Sequence, residues 1–424
     1  MTSLPRQCLV APTLEHHALG DPMRVLAERL EASWAGEAWT GKRVAVAVGS
    51  RGIDRIGDVA RVVVGWLTAH GASVFVMPAM GSHGGASSEG QRELLEGYGV
   101  TEAALGVPID ASMEVTEIGE TASGVRVVVS SAALAADVVV LVNRIKPHTD
   151  FDSPLVGSGL LKMSAIGLGK AEGAIRNHFA AARVGHERVI LEVSDVVLGR
   201  LARVHGVALL EDGGHQLARV EVLEGAAFRS HEPALLKQAR DWMPMLPVPD
   251  VDVLIVDAIG KNISGTGMDT NIVGRGVDLR PRQNRSSDVR AIYLRGLTPE
   301  SHGNAIGIGL ADVVSSRLVR QMDPVSTYTN AVSAMTPAPA RISMHFDTDR
   351  ECLRAALRMS GADVDRPRIV RIRHTLALDR VVVSEACLPA IRAGVEVLAP
   401  PTAWEYDASG NLDAVTDLLA ASHA

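Results

Sequence analysis

Short unbroken apolar runs alternate along this chain with amphipathic stretches of helical period, and glycine-rich turns join them. Residues 43–48 (RVAVAV) read as a buried strand that ends in Gly49-Ser50-Arg51-Gly52-Ile53. From about 54 to 70, apolar Ile56, Val59, Val62, Val63, Trp66 and Leu67 fall at helical spacing. A strand over 73–77 (SVFVM) then leads into Pro78-Ala79-Met80-Gly81-Ser82-His83-Gly84-Gly85 and a helix near 88–98. Two strand–loop–helix units in succession predict a parallel sheet with crossover helices. Such sheets place ligands at the carboxyl ends of their strands. Further strands are expected at 124–130 and 137–142, with a pair at 206–210 and 217–223.

The stretch 242–251 (WMPMLPVPDV) carries three prolines and marks a boundary. The pattern then restarts: a strand at 251–256, a loop at 260–276 (GKNISGTGMDTNIVGRG), a strand at 341–346, a helix near 348–360, and strands at 368–373 and 380–383. The expected fold class is α/β. Residues 1–245 form one α/β domain and 246–424 a second, each with a mostly parallel sheet flanked by helices, and the site lies in the cleft between them. Whether the tail 405–424 returns to the first domain is left open by the pattern.

Composition narrows the class. A chain of 424 residues has room for two or three cores. Apolar residues at 47% and charged residues at 21% suit a soluble globular protein. Acidic residues outnumber basic ones, 49 to 42, which argues against nucleic acid as partner. The three cysteines (Cys8, Cys352, Cys387) match no zinc or disulfide spacing, so a reducing cytoplasm is expected. No basic-then-apolar leader and no membrane-length apolar run appear, so no membrane association is expected.

Candidate chemistry concentrates in 143–178 (NRIKPHTDFDSPLVGSGLLKMSAIGLGKAEGAIRNH), read as one long glycine-rich loop between the 137–142 strand and a helix from about 186. It holds His148, Lys162, Lys170 and His178, with glycines at 157, 159, 167, 169 and 173. A loop of roughly thirty residues is longer than connections usually are, which points to function or to unrecognised local structure. His83 and His148 each follow a strand, which suits a pair of acid–base groups, or histidines that cap a helix or bond a backbone carbonyl. Lys162 beside Gly157-Ser158-Gly159 suits an anion ligand, a covalent anchor or a solvated surface lysine. Neither a Walker loop nor a strand-adjacent GxGxxG is present. In the second domain Lys261, Asp269, Asn271 and Arg275 crowd a glycine-rich loop suited to an anionic substrate, or to plain turn chemistry.

Taken together these motifs resemble the lactate racemase (LarA) family. Met80-Gly81-Ser82-His83 is similar to its Thr-Gly-Thr-His turn, and Lys146-Pro147-His148 to its Pro-His-His loop. Gly157-Ser158-Gly159 with Lys162 resembles its Ser-Gly-Gly-x-Lys, and the spacing from there to Asn177-His178 agrees without a gap. The resemblance implies a nickel-pincer nucleotide (pyridinium-3,5-bisthiocarboxylic acid mononucleotide nickel) attached covalently at Lys162, with His178 as nickel ligand. It implies His83 and His148 as the acid–base pair, with Arg51, Ser82, Gly157, Ser158 and Gly159 around the cofactor. Arg51, Lys261, Asn271 and Arg275 are the implied substrate contacts. The activity implied is racemisation or epimerisation of a 2-hydroxy acid. Cofactor-synthesis enzymes are implied partners, so recombinant protein can lack the cofactor; a homodimer is left open. Departures cluster around the substrate: Val48 replaces an aspartate, Thr149 the second histidine, and MDTNIVGR lacks a following Gln and Lys. A substrate larger than lactate, such as a sugar acid, is therefore among the candidates. Dehydration or redox chemistry with the same cofactor, and non-catalytic nucleotide or anion binding, are the alternatives.

Overall fold

Strands buried on both faces of a parallel sheet need near-continuous apolar sequence, which is the character of the runs above. In the computed structural model, which describes residues 5–49, 52–363 and 365–413, they form two sheets of eight and five strands and a separate hairpin. The strands are β1 (Gln7–Ala11), β2 (Arg43–Val48), β3 (Ser73–Pro78), β4 (Val115–Glu120), β5 (Arg126–Ser130), β6 (Val138–Arg144), β7 (Val204–Glu211) and β8 (Leu217–Glu224). They continue as β9 (Asp250–Val256), β10 (Asp288–Leu294), β11 (Val313–Ser315), β12 (Met344–Phe346), β13 (Ile369–Ile372), β14 (Val381–Ser384) and β15 (Glu396–Val397). By contacts the chain divides into two units. One comprises Glu15–His148 and Ser153–Met243; the other comprises the described residues of Met1–Leu14, Thr149–Asp152 and Pro244–Ala424.

The first unit is built on the sheet β3-β2-β6-β7-β8. β3, β2, β6 and β7 run parallel, in register Val44↔Val74 and Val46↔Val140, and β8 closes the edge antiparallel to β7. Helices α1 (Pro22–Trp34), α2 (Ile56–Ala69) and α3 (Ser88–Gly97) follow the helical periods. The α2 stripe of Val59, Val63 and Leu67 is fully buried among Val44, Val46 and Val140, each side chain contributing about 1.5–3 kcal/mol.

Two expectations are corrected here. Residues 143–178 are not one loop: they contain α6 (Leu160–Lys162), a π-turn (Met163–Gly167) and most of α7 (Lys170–Val184). The intervening short helices α4 (Glu102–Leu105) and α5 (Ser131–Leu134) lie upstream, and α8 (His186–Arg200) and α9 (Phe228–Asp241) complete the unit. The glycines that suggested a loop permit packing instead. A β-carbon at Gly169 would stand 3.3 Å from the Val128 carbonyl, and one at Gly173 3.4 Å from the Val128 side chain. The 124–130 strand, β5, does not join the main sheet but pairs with β4 alone.

The second unit holds the sheet β12-β11-β10-β9-β13-β14-β1-β15. β12 through β13 are parallel; β14, β1 and β15 add antiparallel. The first residues were expected with 1–245, but Gln7 pairs with Ser384 and Val10 with Val381, so this strand belongs to the second sheet. Helices α10 (Thr270–Val273), α11 (Ser316–Gln321), α12 (Pro324–Ser333) and α13 (Asp349–Ser360) complete the unit, with Cys352, Leu353 and Ala356 of α13 buried against Val253, Ile255 and Tyr293.

Candidate functional site

Because β2, β3 and β6 are parallel, the turns that follow them leave one edge of the first sheet. The β3 turn carries Ser82 and His83 and is pinned from behind by Gln91 of α3. This fully buried amide donates to the carbonyls of Gly81 (2.8 Å) and His83 (3.2 Å). The turn also packs on the segment that follows Lys162. Gly81 N–H donates to Gly167 O at 3.4 Å, and at φ +60° its missing β-carbon leaves room for Ile166 and Ala174. Lys162 ends α6, and His178 lies two turns into α7 with its ring 6.2 Å from that of His186. A π-turn inside a helical segment is rare and is frequent at functional sites.

The β6 turn joins the same assembly. Asn143 Nδ2 donates to Gly159 O at 3.0 Å, and Lys146 and Ser158 exchange backbone hydrogen bonds of 2.8 Å. His148 is buried at 7% exposure. The elements bearing His83, His148, Lys162 and His178 are thus packed together in the first unit. The glycines at 157 and 159 were expected to open backbone to an anion. Their β-carbon positions are filled by other groups, the Lys146 carbonyl and the Glu232 carboxylate respectively. Arg51, expected beside the cofactor, lies outside the described residues.

Glu232 of α9 was not singled out in the sequence, where a charge in an amphipathic helix reads as solvent-facing. It is fully buried, and its Oε2 accepts the Leu161 N–H at 2.9 Å, holding the start of the Lys162 turn. Burial pushes its carboxyl up to about 7, opposed in part by the N–H groups of Leu161 and Leu160. A recess of about 520 Å³ runs along β3, lined by Arg43, Ser73, Phe75, Ser88, Arg92 and Asp110.

The second unit deals differently with its three candidates. Lys261 Nζ donates to Gly265 O (2.8 Å) and Asn330 Oδ1 (2.7 Å). Asn271 follows Asp269, which caps α10, and its Oδ1 accepts from Arg282 at 2.7 Å. Arg282, another residue the sequence did not flag, is 4% exposed, pairs with Asp152 at 2.9 Å and donates to Thr149 O and Phe151 O. Arg275 is committed elsewhere: it pairs with Asp312 at 2.7 Å and donates to Leu310 O, with Arg290 O of the amino half of β10 nearby. Lys261, Asn271 and Arg275 thus have different hydrogen-bond partners within the second unit. Among the described residues no group of three His, Cys, Asp or Glu side chains is arranged to hold a metal, and no helix is long and apolar enough to cross a membrane.

Residues 36–188 match the family model of the lactate racemase N-terminal domain. No curated protein matches the chain. Among solved structures, a protein from Thermotoga maritima aligns over 67% of this chain and 72% of its own, at 14% identity and TM-score 0.50, a likeness of fold alone. The lactate racemase apoprotein from Thermoanaerobacterium thermosaccharolyticum aligns over 83% of this chain and 91% of its own, at 13% identity and TM-score 0.47. The matched segment contains the β3 turn, the β6 turn, α6 and α7, and over these residues the chain is similar to the lactate racemase N-terminal domain.

Proposed function

We propose that the chain holds a nickel-pincer nucleotide through Lys162 and His178 and racemises or epimerises a 2-hydroxy acid, with His83 and His148 as the acid–base pair. The observation that carries this reading is the convergence of four elements. Gly81 meets Gly167, Asn143 meets Gly159 and Lys146 meets Ser158, so the turns that carry His83 and His148 pack against the segment that carries Lys162 and leads into the helix of His178. All four lie within the stretch that matches the lactate racemase N-terminal domain.

The donor set suits such a group. Lys162 is half-buried at the end of a short helical turn, able to form an amide-type link, and His178 offers an imidazole of the kind nickel accepts. With one protein imidazole and no cage of three side chains among the described residues, most metal donors have to come from the cofactor itself. When bound, that cofactor supplies what no side chain can, the acceptance and return of a hydride at the α-carbon.

The chain's own work is proton handling. An alcohol carbon that loses a hydride becomes a ketone only if its hydroxyl proton leaves as well, and imidazole takes and returns a proton near neutral pH. His83 and His148 would each hold or move that proton at the substrate hydroxyl, one for each face of the carbon. Gln91 keeps the His83 turn in place, and the Lys146–Ser158 pairing ties the β6 turn beside the Lys162 turn.

The decisive measurement is peptide mass spectrometry on chain co-expressed with the cofactor-synthesis enzymes and nickel. A nucleotide-sized adduct on the Lys162 peptide, lost in Lys162→Ala, is expected. An unmodified Lys162 under those conditions would overturn the anchor. Loaded protein is then offered 2-hydroxy acids deuterated at C2, with products separated by chiral chromatography.

A further inference from the structure

Between the π-turn and α7 the chain breaks direction at Lys170, whose backbone is left-handed (φ +54°), a conformation that a β-carbon disfavours. Glycine is the residue suited to such a break, and it stands at 167 and 169 but not here. The Lys170 side chain is only 1% exposed, so its amine is also taken out of water. Burial pushes it down to about 8, with Asp110 opposing the fall. A strained backbone and a buried amine at one position are two separate penalties, and such residues persist where the surrounding structure holds them for a purpose.

What the amine touches indicates the purpose. Nζ donates to Pro78 O at 2.8 Å. Pro78 is the last residue of β3, and the turn bearing His83 leaves from it. On the other side of the break, Ser130 N–H donates to Leu168 O at 2.8 Å and Gly173 N–H to Gly169 O at 2.7 Å. Asn177 Nδ2, next to His178, donates back to Ala165 O of the π-turn at 2.9 Å. The break is thus tied to β5 on one side and to the β3 end and its turn on the other, by the Lys170 side chain and by the Gly81–Gly167 backbone bond.

We propose that Lys170 is a positioning residue, its amine gripping the Pro78 carbonyl from the start of α7 so that the His83 turn is set against the segment carrying Lys162 and His178. This rests on the function proposed above, which gives those three side chains their roles. Lys170 acts only through Pro78. A plain core-filling role would need neither an amine nor a left-handed backbone, since a methionine of similar length in an ordinary conformation fills the same volume.

The test uses the full chain without cofactor. Lys170→Met keeps the length of the side chain and removes the donor; Lys170→Gly suits the left-handed backbone and removes the donor too. Hydrogen exchange of the amides in 79–86 is expected to quicken about tenfold in both variants, with α8 unchanged. The His83 imidazole proton signal should shift in both and return towards the wild-type position in Lys170→Arg. Unchanged exchange in 79–86 in either folded variant overturns the proposal, as does a quickening spread evenly over the whole unit. Should Lys170→Met fail to fold, Lys170→Gly gives the same readout. Because no cofactor is involved, loss of the Lys162 adduct would sink the proposed function while leaving the brace standing, and the two failures are distinguishable.

Discussion

Replacing Glu232 by glutamine should make the first unit more stable at mildly alkaline pH and leave it almost unchanged in acid. In the fold this carboxyl titrates at about 7 rather than 4.5, because it is wholly buried and two backbone N–H groups offset only part of the lost hydration. The folded pKa lies above the unfolded one, so the folded state holds the extra proton between the two values. Stability is therefore full below about 4.5, falls as pH rises to about 7, and stays low above it. The interval between 4.5 and about 7 corresponds to ~3 kcal/mol. Glutamine keeps the volume and an acceptor for Leu161 N–H but cannot ionise. Urea unfolding of the two proteins should give equal free energies near about pH 4 and diverge by ~3 kcal/mol in favour of the variant by about pH 8. Tryptophan fluorescence is the probe, since Trp34, Trp39, Trp66 and Trp242 all lie in the first unit and only Trp404 in the second. The series stops near pH 8 because Lys170, depressed to about 8, adds a rising slope from there towards 10.5. A wild-type-to-variant gap that is flat with pH would refute a buried, ionising Glu232.

Other expectations are more local. Asp349 is fully buried and takes hydrogen bonds from Tyr293 OH, Arg295, Arg317 and Leu412 N–H. Burial works to raise its pKa, but Arg295, Tyr293 and Arg317 outweigh it and hold it below 3.8. Its contribution is therefore present above 3.8 and lost as pH falls through the lower folded value. Asp349→Asn should cost ~3–5 kcal/mol and expose the Leu412 amide to exchange; a melt and exchange pattern like wild type would contradict the network. Gly84→Ala meets both a φ of +65° and the Gly90 backbone 2.5 Å from the new β-carbon, whereas Gly85→Ala, at φ +64°, has nothing within 4 Å. Thermal melts should therefore show Gly84→Ala losing more than the ~1–2 kcal/mol expected for strain alone at Gly85→Ala. Equal losses would mean that the His83 turn is not packed against Gly90 of α3 as described.

The site illustrates what residue types and order reveal. Glycine-flanked His83, the Pro-His of the β6 turn, and Lys162 followed by His178 were visible as motifs because strand ends and turn residues announce themselves locally. Lys170 was visible only as one more lysine among glycines; nothing in the sequence announces φ +54° or a carbonyl partner 92 residues away. Glu232 and Gln91 were missed for the same reason, since a polar residue in an amphipathic helix gives no sign of pointing inwards. Arg275 is a similar case: its place among Asp, Asn and Gly gives no sign that its guanidinium pairs with Asp312.

The runs 43–48, 73–77 and 251–256 were recognisable as strands, and 54–70 as a helix, because each pattern records which face of an element meets apolar surface. That information is carried by residues a few positions apart, and it survives any arrangement of the remainder. Partners are another matter. β5 has the apolar content of a sheet strand yet pairs only with β4, and β1 crosses from the start of the chain to lie against Ser384. The helices inside 143–178 form although four glycines, at 157, 159, 167 and 169, precede α7; Lys146, Glu232, Ala79 and Val128 occupy the space their side chains would have taken. Local pattern determined the elements and the inventory of reactive side chains. Which elements met, and so which carboxyl and which amine were buried beside Lys162 and His83, was decided by long-range packing, where shape and desolvation act between residues that no sequence spacing relates.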